Sequence, residues 1–592
     1  MPCPEWRAAR HLGVFVIQAS KSGLSEGVNT LNPIAEMYSN ESLVSIGDAL
    51  DRAAESDRGV AFYSARGVVE HRLSYRDLRT GALATARRLT AMGFKKGQRL
   101  GVIAETSPSF LFLFYACQYA GIVPSPLPFT TYLGGKQAYI DRLTMLTKAA
   151  RFAAIVTPRA LLDCASATAA ATGARALVYD DLCAAESADE VHGELPRIDA
   201  SDPAYIQYSS GSTAEPKGIL ISQRAVCTNA RSIVLNGMRL RSTDRAFSWL
   251  PFYHDMGLVG FSIAPLFGPC SVDYLSPSAF ARRPRLWLEL MSDNGSTITY
   301  SPTFGYRLAA QRYQSGGKSI DLSRLRVAGI GGDLIRADVL NDFADVIGET
   351  GFRHSAFLPS YGMAEAVLAI SFADLDMPPR VDHLEGMSSS YVNCGRPLPE
   401  LNLLVVDESG QSVPECTIGH IWVRGLSVVD DYVANPEATS AIKRRDGFID
   451  TGDLGYLVDG SIVVTGRSKE LILYHGRNIW PQDVEWIVER IEPLKPGDAA
   501  AFAITKGDDE QLVVLVQCVL TEESERAALR QRVASAIGEA IGVSARVVLV
   551  GPRDLPFTSS GKLARARAKA LFLKDENKSG GIRSEHDGVL DG

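Results

Sequence analysis

Residues 208–218 read Y-S-S-G-S-T-A-E-P-K-G, from Tyr208 to Gly218. Small residues at Ser209, Ser210, Gly211, Ser212 and Thr213 leave the backbone free to curl round an anion. They expose successive N–H groups, and the hydroxyls add further donors. Such a turn forms a nest of phosphate size, and Lys217 supplies a positive charge beside it. Ala204 to Tyr208 (A-Y-I-Q-Y) reads as a strand, so the loop is expected to leave a strand end, where open α/β sheets bind ligands. The stretch is not a Walker A loop, because G-x-x-x-x-G-K-[ST] is absent. A Ser/Gly run alone also suits a flexible connection; its reading depends on what accompanies it.

Working outward, the flanking chain alternates short apolar β-rich runs with helical spacing. Arg99 to Glu105, Ala153 to Thr157 and Arg326 to Ile330 are expected strands. Arg76 to Met92 and Gln137 to Lys148 carry helical periodicity, and Phe110 to Ile122 reads as a buried helix. This alternation predicts layered α/β packing. Near the end, Gly455 to Val458 and Ser461 to Val464 flank Asp459-Gly460, a strong hairpin signal. After it the texture changes to a smaller unit: helix Val484 to Ile491, strand Leu512 to Leu520, helix Glu522 to Ile541 and strand Arg546 to Val550. The expected division is an extension over 1–40, a large unit over 41–466, a small α+β unit over 467–575 and a disordered polar tail over 576–592.

A chain of 592 residues is too long for one core. The formal charge of −7 comes without a basic face of the kind that nucleic acid requires. Nine scattered cysteines with no C-x-x-C pair suit reduced thiols rather than a disulfide framework or zinc site. Arg7 and Arg10 precede an apolar run from Leu12 to Ile17, too brief for a signal peptide. No apolar run reaches the roughly 20 residues of a membrane span. The expected location is the cytoplasm.

Four further motifs follow the loop in order. Ser360 to Glu365 (S-Y-G-M-A-E) holds an aromatic ring, a glycine and a carboxylate. Phe448 to Asp453 (F-I-D-T-G-D) ends in a carboxylate at an expected tight turn. Gly466 to Glu470 (G-R-S-K-E) joins the two units, and Pro556 to Leu563 (P-F-T-S-S-G-K-L) presents a lysine on a glycine-containing loop. These residue types suit attack by a carboxylate oxygen on the α-phosphate of ATP, which releases pyrophosphate and leaves an acyl-adenylate. That step needs no protein nucleophile; it needs two mutually repelling anions neutralised and aligned.

Over roughly residues 41–575 the ordered set resembles the adenylate-forming superfamily of acyl-CoA synthetases, peptide-synthetase adenylation domains and luciferases. The resemblance implies ATP and Mg²⁺ as cofactors. It implies that Ser209 to Lys217 cradle the β- and γ-phosphates, with Thr213 near the metal and Glu365 binding Mg²⁺. Tyr361, beside Gly362 and Met363, would stack on adenine, and Gly331 and Gly332 would line the adenine pocket. Asp453 and Arg467 would hold the ribose, Lys562 would be the catalytic lysine and Lys469 the hinge. His254, in L-P-F-Y-H-D-M-G, would stand either as a structural residue or at the wall between acyl and transfer tunnels.

Within the superfamily, S-S-G-S-T-A-E-P-K-G, L-P-F-Y-H-D-M-G-L-V-G and G-R-N-I-W-P-Q-D resemble fatty acyl-AMP ligases. That resemblance implies a fatty acid substrate. It implies as acceptor the phosphopantetheine thiol of a holo-acyl carrier protein or of a polyketide or peptide synthase carrier domain. The alternative is a fatty acyl-CoA synthetase using free CoA. The ligases carry an insertion after Y-G-x-A-E that hinders a CoA-using pose; here there is room for a compact one between Ser371 and Val392.

Overall fold

The computed structural model describes residues 43–129, 135–183, 194–208, 217–313, 318–384, 390–429, 431–474, 477–506, 509–557 and 563–579. The expected extension over 1–40 lies outside them. Among the described residues the largest sheet has nine strands. Its centre is parallel: Phe357–Gly362, Val327–Ile330, Ile298–Ser301, Arg245–Ser248, Ser271–Leu275 and Gly59–Tyr63 in spatial order. Antiparallel strands close both edges, with Ala369–Phe372 and Arg396–Pro397 on one side and Val69–Ser74 on the other. A second sheet of four parallel strands runs Val123–Leu127, Arg99–Ile103, Ala154–Thr157, Arg175–Val178. The fold is the layered α/β arrangement that the sequence predicts.

The helices form where local chemistry starts and stops them. Ser74 and Asp77 make a reciprocal capping box at the head of Tyr75–Ala91. Pro108–Ala120 begins with Ser107 as N-cap and Pro108 in the first turn, and stops at Gly121 in the left-handed region. It is apolar on nearly every side because it is buried: Phe110 stacks on Phe114 and Phe252, with ring centroids 6.0 and 5.1 Å apart. Each such phenyl ring contributes about 2 kcal/mol by leaving water.

Two expectations are corrected here. Pro203–Tyr208 and Gly218–Ser222 pair antiparallel as a two-stranded ribbon, so residues 209–216 join two arms of a hairpin instead of leaving an open parallel sheet. Asp453 does not end a tight turn: it lies inside the strand Ile449–Val458. There it faces Arg467 of Ser461–Arg467 across the ladder. The turn is one arm further on, at Asp459-Gly460, where both residues have positive φ (52° and 71°) and connect Val458 to Ser461.

Beyond the short turn Ser468–Glu470 the core changes. Ile472, Ile479, Val484, Val488, Leu512, Val514, Leu529 and Val533 pack with one another in a cluster of their own. That unit holds the sheet Ala499–Lys506, Asp509–Gln517, Ala545–Val550 and the helices Pro481–Glu489, Glu523–Ile541 and Arg565–Ser579. The last helix runs through 576–579, where the sequence predicts the tail to begin. Glu576 bonds Arg546 at 2.6 Å, which explains why the helix continues; residues 580–592 lie outside the description. Among the described residues no helix is long and apolar enough to cross a membrane, and every cysteine is a free thiol.

Candidate active site

A cavity of about 620 Å³ opens where the parallel strands end and the small unit leans over them. Such strand ends are where open α/β sheets take ligands. Val327–Ile330 delivers Gly331 and Gly332 to the wall, and Phe357–Gly362 delivers Tyr361, Gly362, Met363 and Glu365. Arg245–Ser248 leads into His254 and Asp255, while Ile298–Ser301 presents Tyr300 and leads to Thr303 and Arg307. Lys217, Asp453, Arg467, Lys469 and Glu470 complete the large-unit side and the connection between the units, and Trp486, Glu489, Phe557, Leu563 and Arg565 form the roof.

Most of the expected site residues that can be placed therefore border one space. Ser209, Ser210, Gly211, Ser212, Thr213 and Lys562 lie outside the described residues. Their neighbours do not: Tyr208 and Lys217 flank the first group, Phe557 and Leu563 the second, and all four line the cavity.

The carboxylate of Glu365 is set by an unusual turn. After Gly362 the chain makes the short turn Ala364–Ala366, and Val367 then sits at φ 68°, ψ −58° with Leu368 N–H bonded to Ala366 C=O at 2.8 Å. This is a γ-turn of the strained kind, at a β-branched residue that rarely adopts positive φ. Gly362 is required for it: a Cβ there would stand 1.9 Å from the Leu368 carbonyl oxygen. Burial pushes the Glu365 carboxyl above its ordinary range, and a 2.7 Å hydrogen bond donated by Tyr432 Oη to Oε1 pulls it partly back.

Tyr432 has no motif to announce it, and it ties the site together. Its backbone bridges to Ile219, next to Lys217, because Val433 N–H bonds Gly218 C=O at 2.7 Å. Its ring then lies under the Lys217 ammonium, 5.1 Å from centroid to Nζ. Lys217, Tyr432 and Glu365 form one chain of cation, π face, hydroxyl and carboxylate.

On the other wall Tyr361 Oη donates to Asp453 Oδ2 at 2.7 Å, and Arg467 Nε stands 3.2 Å from Asp453 Oδ1. The Arg467 guanidinium is held in its charged form chiefly by Asp453. Asp453 thus keeps acceptor capacity beside a buried ring, an arrangement suited to a ribose hydroxyl next to a stacked base. His254 Nδ1 lies 2.5 Å from Asp255 Oδ1. Tyr300, buried beside Ser360, also lines the cavity. Ile233, Met238, Phe261, Leu368 and Phe372 are among the cavity's apolar lining.

Among the described residues no three metal-ligating side chains converge. That donor set still fits Mg²⁺, which keeps most of its waters and takes one or two carboxylates plus substrate phosphates. Glu365 is one of the carboxylates on the cavity wall.

The AMP-binding enzyme family matches residues 50–433. A Caulobacter vibrioides protein bearing an acyl-CoA synthetase name is 44% identical, over 89% of this chain and 94% of its own length. A 4-hydroxyphenylalkanoate adenylyltransferase of Mycobacterium marinum is 30% identical over 81% of this chain and 82% of its own. A solved structure from studies of fatty acyl-adenylate ligases of E. coli and L. pneumophila superposes with a TM-score of 0.85 at 39% identity. It covers 90% of this chain and 99% of its own.

Proposed function

The chain belongs to the AMP-binding enzyme family, an adenylate-forming ligase by that membership, and from this premise we propose that it is a fatty acyl-AMP ligase. A fatty acid carboxylate oxygen attacks the α-phosphorus of ATP; the new P–O bond forms as the bond to the β-phosphate oxygen breaks, and pyrophosphate leaves. The observation that carries the proposal is that one cavity is lined both by apolar side chains and by charged ones. Ile233, Met238 and Phe372 are among the apolar ones, and Lys217, Glu365, Asp453 and Arg467 among the charged ones.

In this reading Asp453 and Arg467 fix the ribose, and Tyr361 with Gly331, Gly332, Gly362 and Met363 holds adenine. Lys217 and residues 209–213 neutralise the phosphates, and Lys562 meets the reacting oxygens. Glu365, with Thr213, would hold Mg²⁺, which supplies charge neutralisation to the phosphates when bound. His254 stands at the wall beside the acyl chain, and Lys469 is the hinge about which the small unit turns. Little more than positioning and charge compensation is asked of the protein, which is what in-line displacement at phosphorus requires.

The proposed acceptor of the second step is the thiol of a carrier protein. What supports it is the segment after Glu365. Val381–His383 and Ser390–Val392 pair as a small hairpin, packed by Tyr391 against Tyr456, Val458 and Val463. Arg380 fastens its base to Asp459 at 2.9 Å. Burial and then the nearby Asp483 of the small unit push the Tyr391 hydroxyl up, which puts the hairpin beside that unit. The second reading, a CoA synthetase, is favoured by the name of the Caulobacter relative.

ATP–pyrophosphate exchange over a panel of fatty acids tests the first step, with Lys562→Ala expected to lose most exchange while still binding ATP. Repeating the assay with holo-carrier protein and with CoA tests the second. Acyl-CoA forming as fast as acyl-carrier would overturn the acceptor; no acid-dependent exchange would overturn the activity.

A further inference from the structure

Among the described residues a buried ion pair joins the two lobes, alongside the hydrogen bond that Gln482 Nε2 donates to Thr465 C=O at 2.9 Å. Arg336, on the large unit just before the helix Ala337–Ile347, bonds Glu489 of the small unit's helix Pro481–Glu489 at 2.7 Å. The two side chains are only 11% and 8% exposed. The guanidinium also lies over the Trp486 ring, 4.9 Å from its centroid. Its other face grips Asp338 at 2.6 and 3.1 Å, and Gly497 N–H bonds the second Glu489 oxygen at 2.5 Å. Arg307, Asp333 and Glu485 are further charged groups near the pair on the cavity wall.

We propose that Arg336 and Glu489 are positioning residues for adenylation: an interlobe pair that closes for acyl-adenylate synthesis and opens for acyl transfer. The inference rests on the two-step reading above.

Three observations support it. The pair is coupled to the roof of the cavity. Glu485, one turn before Glu489 on the same helix, is clamped by both arms of Arg565 at 2.7 Å. Arg565 also bonds Glu470, beside the hinge residue Lys469, at 2.6 Å, and Leu563, two residues earlier, faces the cavity. Seating Glu489 on Arg336 therefore fixes how the hinge and the residues around Leu563 present themselves. Secondly, burial shields the pair from salt, so it is directional where an exposed pair would be weak. Thirdly, a pair inside one core leaves stranded charge when it breaks. This one spans two lobes, so separation returns both groups to water, and Arg336 retains Asp338. It is built to be made and unmade.

The test uses the full-length enzyme with Glu489→Gln, Arg336→Gln and the double variant. The first half-reaction is followed by ATP–pyrophosphate exchange, the second by transfer from chemically prepared acyl-adenylate to the acceptor the wild type uses. Each single variant should lower exchange by about tenfold, an ordinary coupling between sites, with transfer unchanged or faster. The double variant should be no worse than the poorer single one, and Arg336→Glu with Glu489→Arg should recover part of the loss. Equal losses in both half-reactions, or additive losses in the double variant, would overturn the proposal. An inactive wild type would instead count against the fatty acyl-AMP ligase reading itself.

Discussion

Glu365 is pulled in two directions. In its proposed role as a metal ligand it must be ionised, yet the wall around it raises its proton affinity. The acid limb of adenylation activity should therefore lie above the ordinary carboxylate range of about 4.3. Tyr432→Phe removes the donor that favours the ionised form, so that limb should move further up in a pH profile of kcat/KM; a downward move would contradict the assignment. The linkage has a definite sign. A group whose folded pKa is raised stabilises the fold below its unfolded pKa, and that contribution is lost as pH rises through the folded one. At neutral pH the ionised Glu365 is thus a cost, and Glu365→Gln should raise Tm while lowering exchange by roughly a hundredfold. A fall in both would mean the residue is structural. Asp453 offers a separate test: Asp453→Asn should weaken ATP more than 2′-deoxy-ATP. At residue scale it was legible that Y-G-M-A-E and T-G-D would bring Glu365 and Asp453 to one cavity. Tyr432 was not, since its place depends on backbone pairing with a strand more than 200 residues away.

Elements decide where those groups point. The T-G-D run suggests a turn because Thr, Gly and Asp favour turns, and Gly452 does take a positive φ of 74°. The flanking residues nevertheless continue the ladder, which sets Asp453 opposite Arg467. Pairing with Gly419–Gly425 on the other side holds at Asp450 and Leu454 but shifts register between them, so the local preference survives as an irregularity inside the strand. The γ-turn at Val367 was equally invisible, since no residue type there signals it. It has a consequence for Gly362→Ala, whose methyl group would collide with the Leu368 carbonyl. That variant should lose about 2 kcal/mol or more in chemical denaturation and should lose exchange with it; unchanged stability would show the turn is adaptable. The hairpin Val381–His383 and Ser390–Val392 yields the matching prediction for the acceptor. Replacing it by a tight turn should raise CoA use and leave ATP–pyrophosphate exchange alone, and no gain of CoA use would remove its proposed role.

On the scale of the molecule, the cavity exists because two lobes share it. An acyl-adenylate mimic contacting both should stabilise the whole chain, by about 2.7 kcal/mol at a hundred times its Kd. In a melting experiment the shift should shrink with Asp453→Ala on one lobe and with Glu489→Gln on the other. A shift that only the first variant diminished would place the ligand on the large unit alone.

Local chemistry alone determined the layered α/β class, the caps and turns, and the order of five motifs, because periodicity, capping and residue type act over a few neighbours. Only the tertiary structure decided that Tyr432 would couple Lys217 to Glu365. The same holds for Arg467 reaching Asp453 from the next strand, and for Arg336 finding Glu489 across the lobes. Those contacts join residues far apart in the chain, and strand pairing and lobe packing bring them together.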